Sequence, residues 1–261
     1  MKRLLLYFPL VVMACATTDP GKVRIIGHGG SGLEGEHPMN SRMALISGLE
    51  LGIDGIELDV QLTADSVLVA YHPEDLSELT DCTGKINART WEELRSCPNT
   101  KSIEPYPIVR LDSVLNEAAA RFPKADFTLD CKLFAAGEWW SYLETFSSAL
   151  AQLAEQPDLK GGLVVECQVV DFLQLVKNKR DSTPVFFYAT SCDAGIDTAA
   201  TRGFDGITID NKLITAKQVA AAKKRGLAVT LFGVGGALGH SDALAKHPDR
   251  LQTDAPSAFS K

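Results

Sequence analysis

The sequence has no Cys-x-x-Cys pair, so a zinc site built on closely spaced cysteines is excluded. It has no basic excess: 26 Lys and Arg face 33 Asp and Glu, a net charge of -7, and nucleic acid rewards the opposite sign. It has no internal repeat, no low-complexity tract and no sign of a second domain. The glycine-rich stretch at 235–240 follows a strand-like run but lacks the strand, helix and acidic residue of a nucleotide-binding fingerprint. What is present is 261 residues, 45% hydrophobic and 23% charged, enough for one globular domain with a substantial core.

Lys2 and Arg3 precede an apolar run at 4–13 that is too short to span a bilayer, and Ala14 and Cys15 follow it. A basic start, a short apolar stretch and a small residue before cysteine read as an export signal, and Val12-Met13-Ala14-Cys15 resembles a bacterial lipoprotein processing box. The expectation is cleavage before Cys15, a lipid anchor on its thiol, a polar tether at 16–22, and a mature protein on the exported, periplasmic or cell-surface side of a bacterial membrane. An ordinary secretory signal with Cys15 as bystander is the alternative. Of the other five cysteines, Cys82 and Cys97 flank one polar segment and are the expected disulfide pair. Cys131 and Cys167 lie in apolar strand-like runs and read as small buried hydrophobes.

Short runs of Val, Ile, Leu and Phe alternate with stretches of helical periodicity, the pattern of repeated strand-helix units and a parallel sheet. Eight such runs lie at 23–27, 55–60, 127–131, 162–167, 184–188, 206–209, 228–232 and 250–253, with helical stretches at 42–51, 111–121, 139–155, 169–177 and 216–225 among those between them. Eight units over residues 23–261 predict an α/β fold, a (β/α)8 TIM barrel. One interval, about 61–110, is long, polar and turn-rich with a strand-like run at 67–71, and reads as an insertion after the second strand. It belongs to the catalytic end, where βα loops carry function.

Each residue that could carry chemistry stands at or just after the C-terminal end of a predicted strand. His28 follows the first run, among Gly27, Gly29, Gly30 and Gly32. Glu57 and Asp59 lie two apart on the second, so a strand's period of two turns both carboxylates to the barrel interior. Inward charge needs compensation, either a hard divalent cation such as magnesium or calcium, or structural ion pairs with Lys or Arg. Asp130 and Lys132 repeat the spacing on the third strand. Asp130 offers a third oxygen and Lys132 a cation for a phosphate oxygen, unless the two simply pair. Glu166 ends the fourth strand as a further inward polar group. His72 closes the strand-like run of the insertion, and a fold of that segment over the mouth would set it opposite His28. Two histidines astride a phosphodiester form an acid and base pair, with a cation to absorb charge on the phosphoryl oxygens. His37, His240 and His247 read as loop or surface residues.

In order along the chain, these motifs resemble the glycerophosphodiester phosphodiesterase family of the TIM-barrel phosphodiesterase superfamily. His28-Gly29-Gly30 matches the family's His-Arg-Gly, Pro38-Met39-Asn40-Ser41 its Pro-Glu-Asn-Thr, Glu57-Leu58-Asp59-Val60 its Glu-Leu-Asp-Val, and Thr253-Asp254-Ala255-Pro256 its Thr-Asp-x-Pro. Residues 61–65 and the run ending at His72 match the stretch between. The resemblance covers residues from about 23 to 256. It implies a phosphoric diester hydrolase that converts a small glycerophosphodiester to glycerol phosphate and an alcohol, with His28 and His72 as acid and base. Glu57 and Asp59 would bind one divalent metal, with Asp130 as third ligand where the family uses glutamate, and Lys132, Gly29 and Glu166 would line the substrate. Three positions depart from the pattern: Gly29 replaces a phosphate-holding arginine, Met39 replaces glutamate, and Tyr71-His72-Pro73 lacks the aspartate that commonly follows the second histidine. The Asp-x-Lys strand is also similar to that of related phospholipase D toxins. Cleavage of a phospholipid headgroup, cyclic phosphate formation and a non-catalytic phosphodiester-binding lipoprotein are therefore the other readings.

Overall fold

Parallel strands need a long crossover between them, helices of nine to fifteen residues supply it, and eight such strands close into a barrel. The computed structural model describes residues 22–102, 105–159 and 162–261; the expected signal, Cys15 and residues 16–21 of the tether lie outside the described residues. In chain order the strands are β1 (Arg24–Gly27), β2 (Gly55–Leu62), β3 (Leu68–Ala70) and β4 (Val109–Arg110) of the insertion, β5 (Asp126–Cys131), β6 (Leu163–Cys167), β7 (Val185–Ala189), β8 (Gly206–Asp210), β9 (Ala228–Val234) and β10 (Arg250–Thr253). The helices are α1 (Arg42–Glu50), α2 (Trp91–Leu94), α3 (Leu111–Arg121), α4 (Trp139–Leu153), α5 (Val170–Lys179), α6 (Cys192–Arg202), α7 (Ala216–Lys224) and α8 (Gly236–Ala245). Strands β1, β2 and β5 to β10 pair in parallel, and β1 closes the ring by pairing with both β10 and β2. The expected (β/α)8 barrel is therefore the fold.

Period two sorts every strand into two faces. Ile56, Leu58 and Val60 on β2, Phe127, Leu129 and Cys131 on β5, and Leu163, Val165 and Cys167 on β6 join the apolar layer beneath the helices. Cys131 and Cys167 are buried free thiols, as their runs imply, and Cys192 is a third.

The insertion has a small core of its own, made by Val69, Tyr71, Leu76, Ile86, Leu94 and Ile108, and the Cys82–Cys97 disulfide closes it. Strand β2 runs two residues past its expected end because Gln61 and Leu62 pair with β3. Pairing of β1 with β2 stops at Gly27 and Ile56, and above that point the free edge of β2 takes antiparallel β3. The insertion is thus wedged between the first two barrel strands at the mouth. Gln61 holds it there, its Nε2 donating to the carbonyls of Tyr71 at 3.0 Å and Pro73 at 2.7 Å.

One expectation is corrected. His240 is not a loop or surface residue: Gly236 begins α8, and His240 within it is buried. His240 is hydrogen-bonded to Thr253 Oγ1 at 2.7 Å and meets the Phe259 ring edge-on at 4.6 Å, while burial holds its pKa below the ordinary value. Packing across β9 and β10 overrides the low helix propensity of Gly236 and Gly239. His247 is exposed and His37 partly so, as expected.

Candidate functional site

The inward faces of β2, β5 and β6 converge on one acidic layer. Parallel register sets Asp59 beside Asp130 and Asp130 beside Glu166, with Glu57 one step lower on β2. Glu57, Asp59 and Glu166 are about 1% exposed and Asp130 is 9% exposed. Glu57, Asp59 and Asp130 each place a carboxylate oxygen such that the three lie within 4.8 Å of one another.

Lys132 follows Asp130 inward, and its Nζ donates to Asp130 at 2.6 Å and pairs with Asp59 at 3.1 Å. Burial alone would depress this ammonium, but the charges of Asp130 and Asp59 overcome it and raise its pKa. The ion-pair alternative therefore accounts for two carboxylates and leaves the third. Glu57 Oε2 accepts from the Gly29 amide at 2.9 Å, while buried Oε1 has no donor. Burial first, and then the neighbouring charge of Asp59, raise the Glu57 pKa well above the ordinary range. An unpaired carboxylate oxygen facing two more carboxylates fits a hard divalent cation. Glu57, Asp59 and Asp130 could hold one.

Asn40 positions Asp59 from the other side. Its Nδ2 donates to Asp59 Oδ2 at 2.6 Å and its Oδ1 accepts from the Asp59 amide at 2.9 Å. Asn40 sits at φ 64°, a left-handed conformation that asparagine tolerates, directly before Ser41, which caps α1.

His28 leaves β1 at the rim of this layer. Its Nδ1–H donates to Asp254 Oδ1 at 2.5 Å, and Nε2 stands 3.9 Å from Glu57 Oε2. Burial lowers its pKa, yet the Asp254 hydrogen bond and the Glu57 charge outweigh this and raise it to about 9. His72 lies two residues beyond β3 and is exposed. It stands at the opening beside the insertion. A cavity of about 830 Å³ occupies that opening, lined by Leu33, Met39, Tyr71, His72, Lys101 and Tyr106 among others, and His28 is not among the residues that line it. Glu166 faces inward beside Asp130 but outside the triad; Thr208 Oγ1 donates to its Oε2 at 2.6 Å. Burial and then Asp130 raise the Glu166 pKa to about 7.

The departures at Gly29 and Met39 are one feature. Gly29 holds φ 55°, and a Cβ there would stand 2.5 Å from the Met39 Cβ. The methionine fills the room a side chain at position 29 would need, and the backbone amide of Gly29 serves Glu57 instead. Sequence reasoning missed the roles of Asp254 and Asn40, although both lie inside motifs it singled out.

Comparison with known proteins gives this geometry its context. The model of the glycerophosphoryl diester phosphodiesterase family matches residues 31–256. A glycerophosphodiester phosphodiesterase of Bacillus altitudinis is 44% identical over 64 residues, covering 24% of this chain and 26% of that protein. The stretches matched in the first two curated relatives span only 44% and 26% of their lengths. A glycerophosphodiester phosphodiesterase structure from Parabacteroides distasonis superposes with a TM-score of 0.76 at 20% identity, covering 91% of this chain and 95% of that one. An Oleispira antarctica phosphodiesterase, solved in complex with the product sn-glycerol-3-phosphate, superposes with a TM-score of 0.74 at 20% identity, covering 90% and 94%. At such identities these two structures show the fold alone, and the family model, spanning most of the chain, shows the family. The chain belongs to the glycerophosphoryl diester phosphodiesterase family.

Proposed function

We propose that this protein hydrolyses glycerophosphodiesters to glycerol phosphate and an alcohol, using one divalent metal, magnesium or calcium, held by Glu57, Asp59 and Asp130. The observation that carries the reading is the buried triad with an orphaned Glu57 oxygen, set directly beside His28. When bound, the metal supplies positive charge to the phosphoryl oxygens as the transition state develops.

The protein's own groups do the remaining work. Asp254 fixes the His28 ring so that Nε2 faces the interior, and its hydrogen bond together with the Glu57 charge keeps the imidazole protonated at neutral pH, the form that gives a proton to a leaving oxygen. His72 takes the proton of the attacking water from the other side of the opening. Lys132 adds a fixed cation beside Asp59 and Asp130. Gly29 and Glu166 support the site from behind: the amide of Gly29 orients Glu57, and a largely protonated Glu166 spares the layer a fourth full charge below neutral pH. Export with a lipid anchor at Cys15 belongs to the same proposal.

The test is release of glycerol phosphate from glycerophosphocholine and glycerophosphoethanolamine by residues 16–261, with and without EDTA, beside His28→Ala and Glu57→Ala. Expected are loss of turnover with EDTA and a fall of at least ~10²-fold in each variant. Wild-type rates in either variant would contradict the assignment.

A further inference from the structure

Among the described residues, every large hydrophobic side chain that stands exposed lies on one face of the barrel: Leu33, Met43, Trp139, Trp140, Leu213 and Leu238. Each belongs to a segment that follows the C-terminal end of a barrel strand. Leu33 and Met43 come after β1, Trp139 and Trp140 after β5, Leu213 after β8 and Leu238 after β9. Their exposure is large, 88% for Leu238, 64% for Leu33 and 53% for Trp140. Single apolar residues scattered over a surface need no explanation, but confinement to the rim of the mouth does.

We propose that this rim rests on a zwitterionic lipid surface whose headgroups carry ammonium ions. Two observations select the occupant. The rim surrounds His28 and the carboxylate triad, so a folded protein seated on it would close the mouth of the site. The second observation is charge. In these same segments the exposed charges are Glu34, Glu36 and Glu138 against Lys212 and Arg42, and Arg42 is committed to Glu117. An acidic rim repels anionic lipid and complements choline or ethanolamine headgroups. The indoles of Trp139 and Trp140 join an apolar ring to a polar N–H and suit the headgroup boundary. Leu33 also lines the cavity that holds His72, so the apolar contact continues from the rim inward.

Residues 22–261 contain the complete closed barrel and exclude the apolar segment at 4–13, so this fragment is the one to mix with vesicles. Sedimentation with phosphatidylcholine or phosphatidylglycerol vesicles is compared between the parent and a Trp140→Ser, Leu238→Ser double variant. The expected result is binding to phosphatidylcholine, weaker binding to phosphatidylglycerol, and at least a tenfold loss in the double variant while turnover of soluble glycerophosphocholine is unchanged. No binding to phosphatidylcholine, a preference for phosphatidylglycerol, or a double variant that binds like the parent overturns the proposal. So does a dimer that the double variant dissolves, because the rim would then serve a second copy of the chain. Vesicle binding needs no turnover: a protein that binds and does not hydrolyse refutes the phosphodiesterase reading and leaves the lipid-contacting rim standing.

Discussion

Replacing Glu57 by Gln separates a metal ligand from a structural carboxylate. Without metal, the Glu57 carboxylate is buried among Asp59, Asp130 and Glu166, and one of its oxygens has no donor. Glutamine keeps the shape, and its carbonyl oxygen can still accept from the Gly29 amide. The variant therefore loses repulsion and no packing, and its metal-free form gains on the order of 1–2 kcal/mol over the parent, or stays level with it. Metal has the opposite effect. At 100 times its dissociation constant a divalent ion stabilises the parent by about 2.7 kcal/mol. For a domain of this size each kcal/mol moves the melting temperature by ~2–4 °C, so the parent shifts by roughly 5–10 °C. In Glu57→Gln that shift falls to a small fraction, because a neutral amide is a poor partner for a hard cation in a site with few ligands. Thermal melts of both proteins in EDTA, magnesium and calcium read both effects. A variant that is much less stable than the parent in EDTA, and still shows the full metal shift, would refute the reasoning.

Three further outcomes follow from the same geometry. Asp254→Asn weakens the charge-assisted hydrogen bond that, with the Glu57 charge, holds the His28 pKa near 9, so the limb of the pH-rate profile that reports His28 moves to lower pH and kcat/KM falls by ~10-fold or more; unmoved limbs would show that Asp254 does not position His28. Glu166 is raised from 4.5 to about 7 on folding, so between those values the folded metal-free protein holds more protons than the unfolded chain and loses stability as pH rises, by on the order of 3 kcal/mol. Denaturant titrations from pH 5 to 7.5 should show this fall in the parent and a smaller one in Glu166→Gln, and equal slopes would contradict it. The Cys82–Cys97 bridge closes a sequence separation of 15 residues, so Cys82→Ser with Cys97→Ser should destabilise the insertion by ~3 kcal/mol, read as faster proteolysis within 63–108 than in the barrel; uniform protection would count against it.

Much of the barrel is legible because the strands are short and alternate apolar residues toward the helices with polar residues toward the interior, as in β2 and β5. The helices are less so where packing rather than pattern decides. In α6, Gly195 allows close approach to Ala189, where a Cβ would stand 2.4 Å from that of Ala189, and in α8 glycines mask a helix that packs on β9 and is tied to β10 through His240 and Thr253. The acidic triad is legible because a two-residue spacing on a strand admits one geometry. The roles of Asn40 and Asp254 are not, because each depends on ring closure. His28 and Asp254 are 226 residues apart in the chain and become neighbours only because β1 pairs with β10. The exposed rim was equally hidden, since Leu33, Trp140 and Leu238 share a face only after eight units have closed.

The central claim is metal-dependent attack of water at phosphorus. It is tested most directly by phosphorus NMR of glycerophosphocholine turned over in oxygen-labelled water at neutral pH, before EDTA, after EDTA, and after magnesium or calcium is restored. The account predicts label in glycerol phosphate, turnover abolished by the chelator and recovered with metal. An unlabelled cyclic phosphate, or turnover indifferent to the chelator, would contradict it.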